Sequence, residues 1–303
     1  MNKNRISYML ICLFSIALLG ATYRNSDIKT KRFVYPLFLT YAGINYIFDF
    51  FVLVLAKGYR YKPKYLKKTY LDNLLGANMS QLLIVPTSGV FLSIFRLNFI
   101  WGLLSSTLFF FIEKLFLKLN VYKHGWWSEY YTLIGLNIFY FVAKRWSEQL
   151  IDKNNSWIQY ITVYLSIFVS TATLGYYLQL VLFKTYLFKQ NWFLNPYRSH
   201  MTTLFIYTNI MSVIFTFTVV FKKLYLKSMS VVFLYLFELW LNRKEKMVIS
   251  NPLFHLFSLF IKIISIAVGG YVFRSINRDL GTGPVLTQST DWDGKKTCLS
   301  VSK

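Results

Sequence analysis

The sequence predicts an all-α fold, a polytopic transmembrane helix bundle of eight or nine spans. Three observations lead there. The first is composition: of 303 residues, 55% are hydrophobic, 20% aromatic and only 15% charged, with a mean hydropathy of +0.41. Soluble domains hold roughly 45 to 50% apolar and about 25% charged residues. The second is spacing, because apolar runs of about 20 residues, the length a helix needs to cross the hydrocarbon core, alternate with short polar loops. The third is the placement of charge. Lys and Arg number 34 against 12 Asp and Glu, a net charge of +22. These basic residues stand almost wholly in the loops, where they meet anionic lipid headgroups. A nucleic-acid surface would gather them into one stripe, so nucleic acid is set aside as a partner and the lipid bilayer is expected.

In order, MNKNR leads into an apolar stretch, Ile6 to Tyr23, read as an uncleaved first helix that fills residues 1–32 with the basic loop behind it. Phe33 to Ala56 is the second span. Leu74 to Phe95 is diluted by Asn78, Ser80, Gln81, Pro86, Thr87, Ser88 and Gly89, and reads as a span facing protein or as a re-entrant segment. Phe99 to Leu117 is clean. Tyr130 to Val142 is short and needs Ser128 and Ala143 to reach a minimal crossing, with Lys144 and Arg145 snorkelling to the interface. Trp157 to Phe183, Met201 to Phe221, Leu224 to Leu241 and Leu253 to Phe273 complete nine helices, or eight if the polar third segment does not cross. Lys and Arg are nearly balanced between the two sides, so the positive-inside rule assigns no orientation. From Ser275 to Lys303 the chain turns polar and reads as a disordered tail.

An internal echo divides the apolar part in two. A basic KGY hinge at Lys57, two spans, and an acid in FIEKLFLKL at Glu113 are answered by KTYLFKQNWFLNPYRSH from Lys184, two spans, and an acid in LFELWLNRK at Glu238. This predicts two four-helix units, residues 33–150 and 151–274, behind one extra helix, with Tyr176 standing about where Asp49 would recur.

Ionisable groups inside apolar runs are the candidates for chemistry, because each costs roughly 2.5 to 3.5 kcal/mol to insert and therefore needs a partner. Asp49, Glu113, Glu238 and Lys262 form the candidate intramembrane network. Lys262 lies between isoleucines, too deep to snorkel, and predicts an ion pair with Asp49 or Glu238. That pair could line a polar path; the plainer alternatives are a structural salt bridge, or a register in which Glu113 and Glu238 reach the interface. His124, Trp126 and Trp127 form a second cluster; it could bind a ligand or sense pH, but an interfacial aromatic belt is the favoured reading. His200, in NPYRSH, reads as a polar loop residue and Arg198 as a headgroup contact. Cys12 and Cys298 carry no metal or disulfide pattern, the three histidines form no metal set, and no catalytic motif is present, so no cofactor is expected.

The order Asp49, AKGY, Ile112 to Lys114 (IEK), then YKHGWWSEYYT resembles an uncharacterised family of small multi-pass membrane proteins from endospore-forming bacteria, over about residues 1 to 150. The resemblance implies about five spans in that stretch and a bacterial inner membrane, and brings no activity. Two functions stay open. One is a transporter or permease for a small solute or ion whose path uses Asp49, Lys262 and Glu238. The other is a non-catalytic scaffold or envelope component that binds membrane-protein partners.

Overall fold

The computed structural model describes residues 3–277 and, beyond them, the short strands Ser289–Thr290 and Lys296–Thr297. Nine helices follow one another among the described residues. We label them α1 (Lys3–Asn25), α2 (Ile28–Leu55), α3 (Thr69–Ile94), α4 (Phe99–Lys118), α5 (Glu129–Ser147), α6 (Ser156–Leu182), α7 (Pro196–Val220), α8 (Leu224–Arg243) and α9 (Leu253–Asn277). Eight are long and apolar enough to cross a membrane. The exception is α5, not the polar third segment. Asn137, Lys144 and Arg145 dilute α5, whereas α3 runs as one 26-residue helix and buries Gln81, Thr87, Ser88 and Ser93 against protein. The re-entrant alternative for Leu74 to Phe95 is thereby replaced by a span facing protein, which begins already at Thr69.

Local chemistry sets the helix ends. Asp27, Asn155 and Asn195 each accept backbone N–H groups of the turn they precede, with Pro196 filling the first position of α7, where its missing N–H costs nothing. Lys57, Arg96, Asn120, Lys184, Lys222 and Glu245 take left-handed φ values between 48° and 57° just past helix ends, the conformation that lets a chain leave a helix sharply. The last turns of α2 and α6 widen to π geometry over Phe50–Leu55 and Gly175–Leu182, and a π segment, Glu148–Asp152, extends α5.

Two strand pairs, absent from the sequence reading because each strand has three residues, join the loops. β1 (Tyr59–Tyr61) runs antiparallel to β2 (Tyr122–His124), with Tyr59 opposite His124; β3 (Tyr186–Phe188) pairs likewise with β4 (Met247–Ile249). Alternating crossings put all four strands and the start of α1 at one end of the bundle. Contacts agree, since Asn4 donates to the Lys62 carbonyl at 2.6 Å and the Tyr8 hydroxyl to the Val121 carbonyl at 2.9 Å. Gly125 lets the loops close: its N–H reaches the Gly58 carbonyl at 2.7 Å, and a Cβ there would stand 2.4 Å from the Lys57 carbonyl oxygen.

The core lies where α2, α6 and α9 meet. Gly43 brings α2 against the Leu165 carbonyl of α6, where a Cβ would stand at 2.9 Å, and Gly269 brings α9 against Ile167, at 2.5 Å. Phe50 of α2 also stacks on Phe205 of α7, with centroids 3.7 Å apart. Arg198 is not the headgroup contact expected of it. Its guanidinium donates to the Val54 and Leu55 carbonyls, both at 2.7 Å, and so satisfies the exposed acceptors at the end of α2. Of the expected tail, Ser275 to Asn277 finish α9, Ser289–Thr290 pairs with Lys296–Thr297, and the rest lies outside the described residues.

Candidate functional site

The first half contains a cavity of about 340 Å³ between α1, α2, α3, α4 and α5, closed at one end by the β1–β2 pair. It exists because α5 packs on α3 and α4 without comparable packing on α2. Most of its wall is apolar, with Ile44, Ile84, Phe109, Ile112 and Phe139 among its residues. Phe48, Tyr131 and Ile138 line it and are also 41%, 48% and 59% exposed, which marks a mouth opening sideways between α2 and α5. The inner end is polar. Tyr59, Tyr61 and Tyr122 stand there beside Glu113, Ser80 and Gln81. Burial, with Asp49 beside Tyr59 and with Tyr61, Glu113 and Asp49 near Tyr122, holds both phenols well above the usual tyrosine range, so both remain neutral. Asn45 lines the cavity at 5% exposure, and among the described residues its amide nitrogen has no acceptor.

The sequence-predicted acids reach this region by different routes. Asp49 is buried at the back of it and accepts the Tyr59 hydroxyl at 2.6 Å. Glu113, 9% exposed, lines the cavity itself; its Oε1 meets Nε2 of His124 at 2.7 Å, and no described donor reaches Oε2. The other ring nitrogen of His124 lies 3.8 Å from Glu129. Trp126 is 54% exposed and donates to the Ala56 carbonyl at 2.8 Å, whereas His124 and Trp127 face the protein. His124, half-buried at the end of β2, is the partner of a buried acid, and Trp127 lines the cavity with its indole on the Thr132 hydroxyl at 2.8 Å.

Lys262 and Glu238 meet in the second half. The ammonium sits 2.8 Å from each carboxylate oxygen, Tyr207 donates to Oε1 at 2.7 Å, and Ser258 bonds both partners. Lys262 is 1% and Glu238 6% exposed. The predicted ion pair is thus formed, with Glu238 and not Asp49. Glu113 and Glu238 are both buried, and each has a partner in the protein. Space at the pair shrinks to about 20 Å³, room for about one water. His200 is likewise no loop residue: it is buried in the first turn of α7 and accepts the Phe188 N–H at 3.0 Å on Nδ1.

The two sites occupy corresponding places. Ile44 and Thr171, Tyr59 and Tyr186, and Ser80 and Tyr207 line the large and the small space respectively, each pair 127 positions apart (44 to 171); Glu113 and Glu238 are 125 apart (113 to 238). In the second half α9 packs closely on α6, and the space is filled. Among the described residues no group of His, Cys, Asp and Glu has the arrangement of a metal site. No protein-family model, curated protein or solved structure matches the chain.

Proposed function

We propose that this multi-pass membrane protein is a non-catalytic binder that takes an amphipathic molecule sideways from the bilayer into the first-half cavity. One observation carries the reading: a space of about 340 Å³ with an apolar wall, a polar inner end and a lateral mouth. Ligand sites are typically concave, about 300 to 1,000 Å³, mostly apolar, with a few placed polar groups. The buried side chain of Asn45 adds a further polar group to the wall. The second half serves as packed support. A conduction path through Asp49, Lys262 and Glu238 has less behind it, because Lys262 and Glu238 satisfy each other in a closed pocket while Asp49 bonds to Tyr59. The constant spacing of matching residues favours an internal duplication, and the resemblance of residues 1 to 150 to the endospore-former family favours a bacterial inner membrane.

The test fills the cavity. Gly135 lines it, and a Cβ there meets nothing within 4 Å. A Gly135→Phe variant should fold with unchanged thermal stability and lose the amphiphile that co-purifies with the wild type in mild detergent, as read by mass spectrometry of organic extracts. Equal amounts of co-purifying amphiphile in both proteins would refute the reading.

A further inference from the structure

We propose that the molecule entering the first-half cavity carries an ammonium group on its apolar chain and that Glu113 receives it. The inference rests on the cavity being a binding site. The second half displays the filled version of the same arrangement, in which a carboxylate is met by the ammonium of Lys262 and by the hydroxyls of Tyr207 and Ser258. At a spacing of 125 the first half keeps the carboxylate as Glu113 but has Asn137 for Lys262 and Leu133 for Ser258, and at a spacing of 127 it has Ser80 for Tyr207. The acid is retained while all three of those partners are gone.

What remains around Glu113 is a receptor for positive charge. His124 occupies Oε1, leaving Oε2 open beside the cavity. The rings of Tyr8, Tyr61, Phe116 and Tyr122 line the same end, and aromatic faces attract cations. Asp49, behind Tyr59, adds a second buried acid, and no Lys, Arg or His stands among the lining residues. An anionic head would be repelled there, and a head without a donor would leave Oε2 unmet. Asn137 cannot substitute for a lysine: its amide nitrogen is held by the Ser106 hydroxyl and the Leu133 carbonyl, both at 2.8 Å, and its oxygen is buried with no donor.

The experiment uses the full chain in nanodiscs of phosphatidylglycerol, which carries no amine, and three probes with one chain length: dodecylamine, dodecanol and dodecanoate. Binding is read by the fluorescence of Trp127, which lines the cavity, with a Trp127→Phe protein as the blank. We expect saturable binding with dodecylamine favoured over dodecanol by about tenfold or more, the scale of a desolvated cation–π contact or charge pair, and dodecanoate weakest. Glu113→Gln should remove the preference for the amine. Asn137→Lys should abolish amine binding while preserving the fold, because its ammonium would reach Glu113 as Lys262 reaches Glu238. If Glu113→Gln fails to fold, the probe series and Asn137→Lys decide alone. Dodecanol binding as tightly as dodecylamine overturns the ammonium assignment and leaves the cavity reading standing, whereas no saturable binding by any probe overturns both. Nanodiscs containing phosphatidylethanolamine separate the sources of the group: competition with dodecylamine assigns it to a lipid headgroup, and its absence assigns it to a free amphiphile; either supports the proposal once the amine preference is seen.

Discussion

Replacing one partner of the Lys262–Glu238 pair should destabilise the protein far more than replacing both. Lys262→Met keeps the length and apolar stem of the side chain but leaves the carboxylate buried with only the Tyr207 and Ser258 hydroxyls as donors. Breaking a buried pair by removing one partner costs about 3 to 5 kcal/mol. Two remaining donors place Lys262→Met near the lower end, at about 3 kcal/mol, or somewhat over a hundredfold in the folding equilibrium. Glu238→Leu strands an ammonium whose other contacts are only the Ser258 hydroxyl and its carbonyl at 3.4 Å, and belongs near about 5 kcal/mol. The joint variant removes both charges and should fall within about 1 kcal/mol of the wild type, because the desolvation penalty and the attraction disappear together. Equilibrium unfolding in mixed micelles measures all four proteins. A single substitution costing under about 1 kcal/mol, or a joint variant as unstable as the singles, would refute the assignment of this pair as mutually compensating.

Three further outcomes follow from individual contacts. Tyr59→Phe removes the hydroxyl that Asp49 accepts and should cost about 1 to 3 kcal/mol in the same unfolding assay, with Asp49→Leu added on top recovering part of the loss. Arg198→Ala frees the Val54 and Leu55 carbonyls and should raise amide hydrogen exchange through residues 56–60 before it affects the strand pair of the second half. Gly125→Ala forces a Cβ against the Lys57 carbonyl and should cost about 1 to 3 kcal/mol, with Trp126 fluorescence reporting the displaced loop. Gly135→Ala, facing open space, is the matched control and should be neutral or slightly stabilising.

Helices were legible because bilayer thickness imposes a run length that no packing detail alters. Phe99 and Leu224 begin their helices where the apolar runs begin. Lys262 was legible as half of a pair because hydrocarbon on both sides left it no route to water. Partner choice was not: Glu238 and Asp49 differ only in which helix face the fold brings to α9. The cavity had no sequence signal of its own, since it results from α5 failing to pack on α2, and the only trace lies in comparing halves, where small Ser80 answers Tyr207. Asp72 went unnoticed for a similar reason. It stood outside the predicted third span, yet its carboxylate collects the N–H groups of Lys64, Tyr65 and Leu66 and shapes the loop beneath the cavity. His200 looked like a loop residue because NPYR precedes it, and those same residues start a helix.

The close seating of Gly43 on Leu165, with Arg198 holding the end of α2, joins the halves into one stiff body. Around it stand α1 and α4, each with only 17% of its apolar stretch buried and the rest turned away from the protein. A tilt of either outer helix would resize the cavity that both border while leaving the joint between halves still.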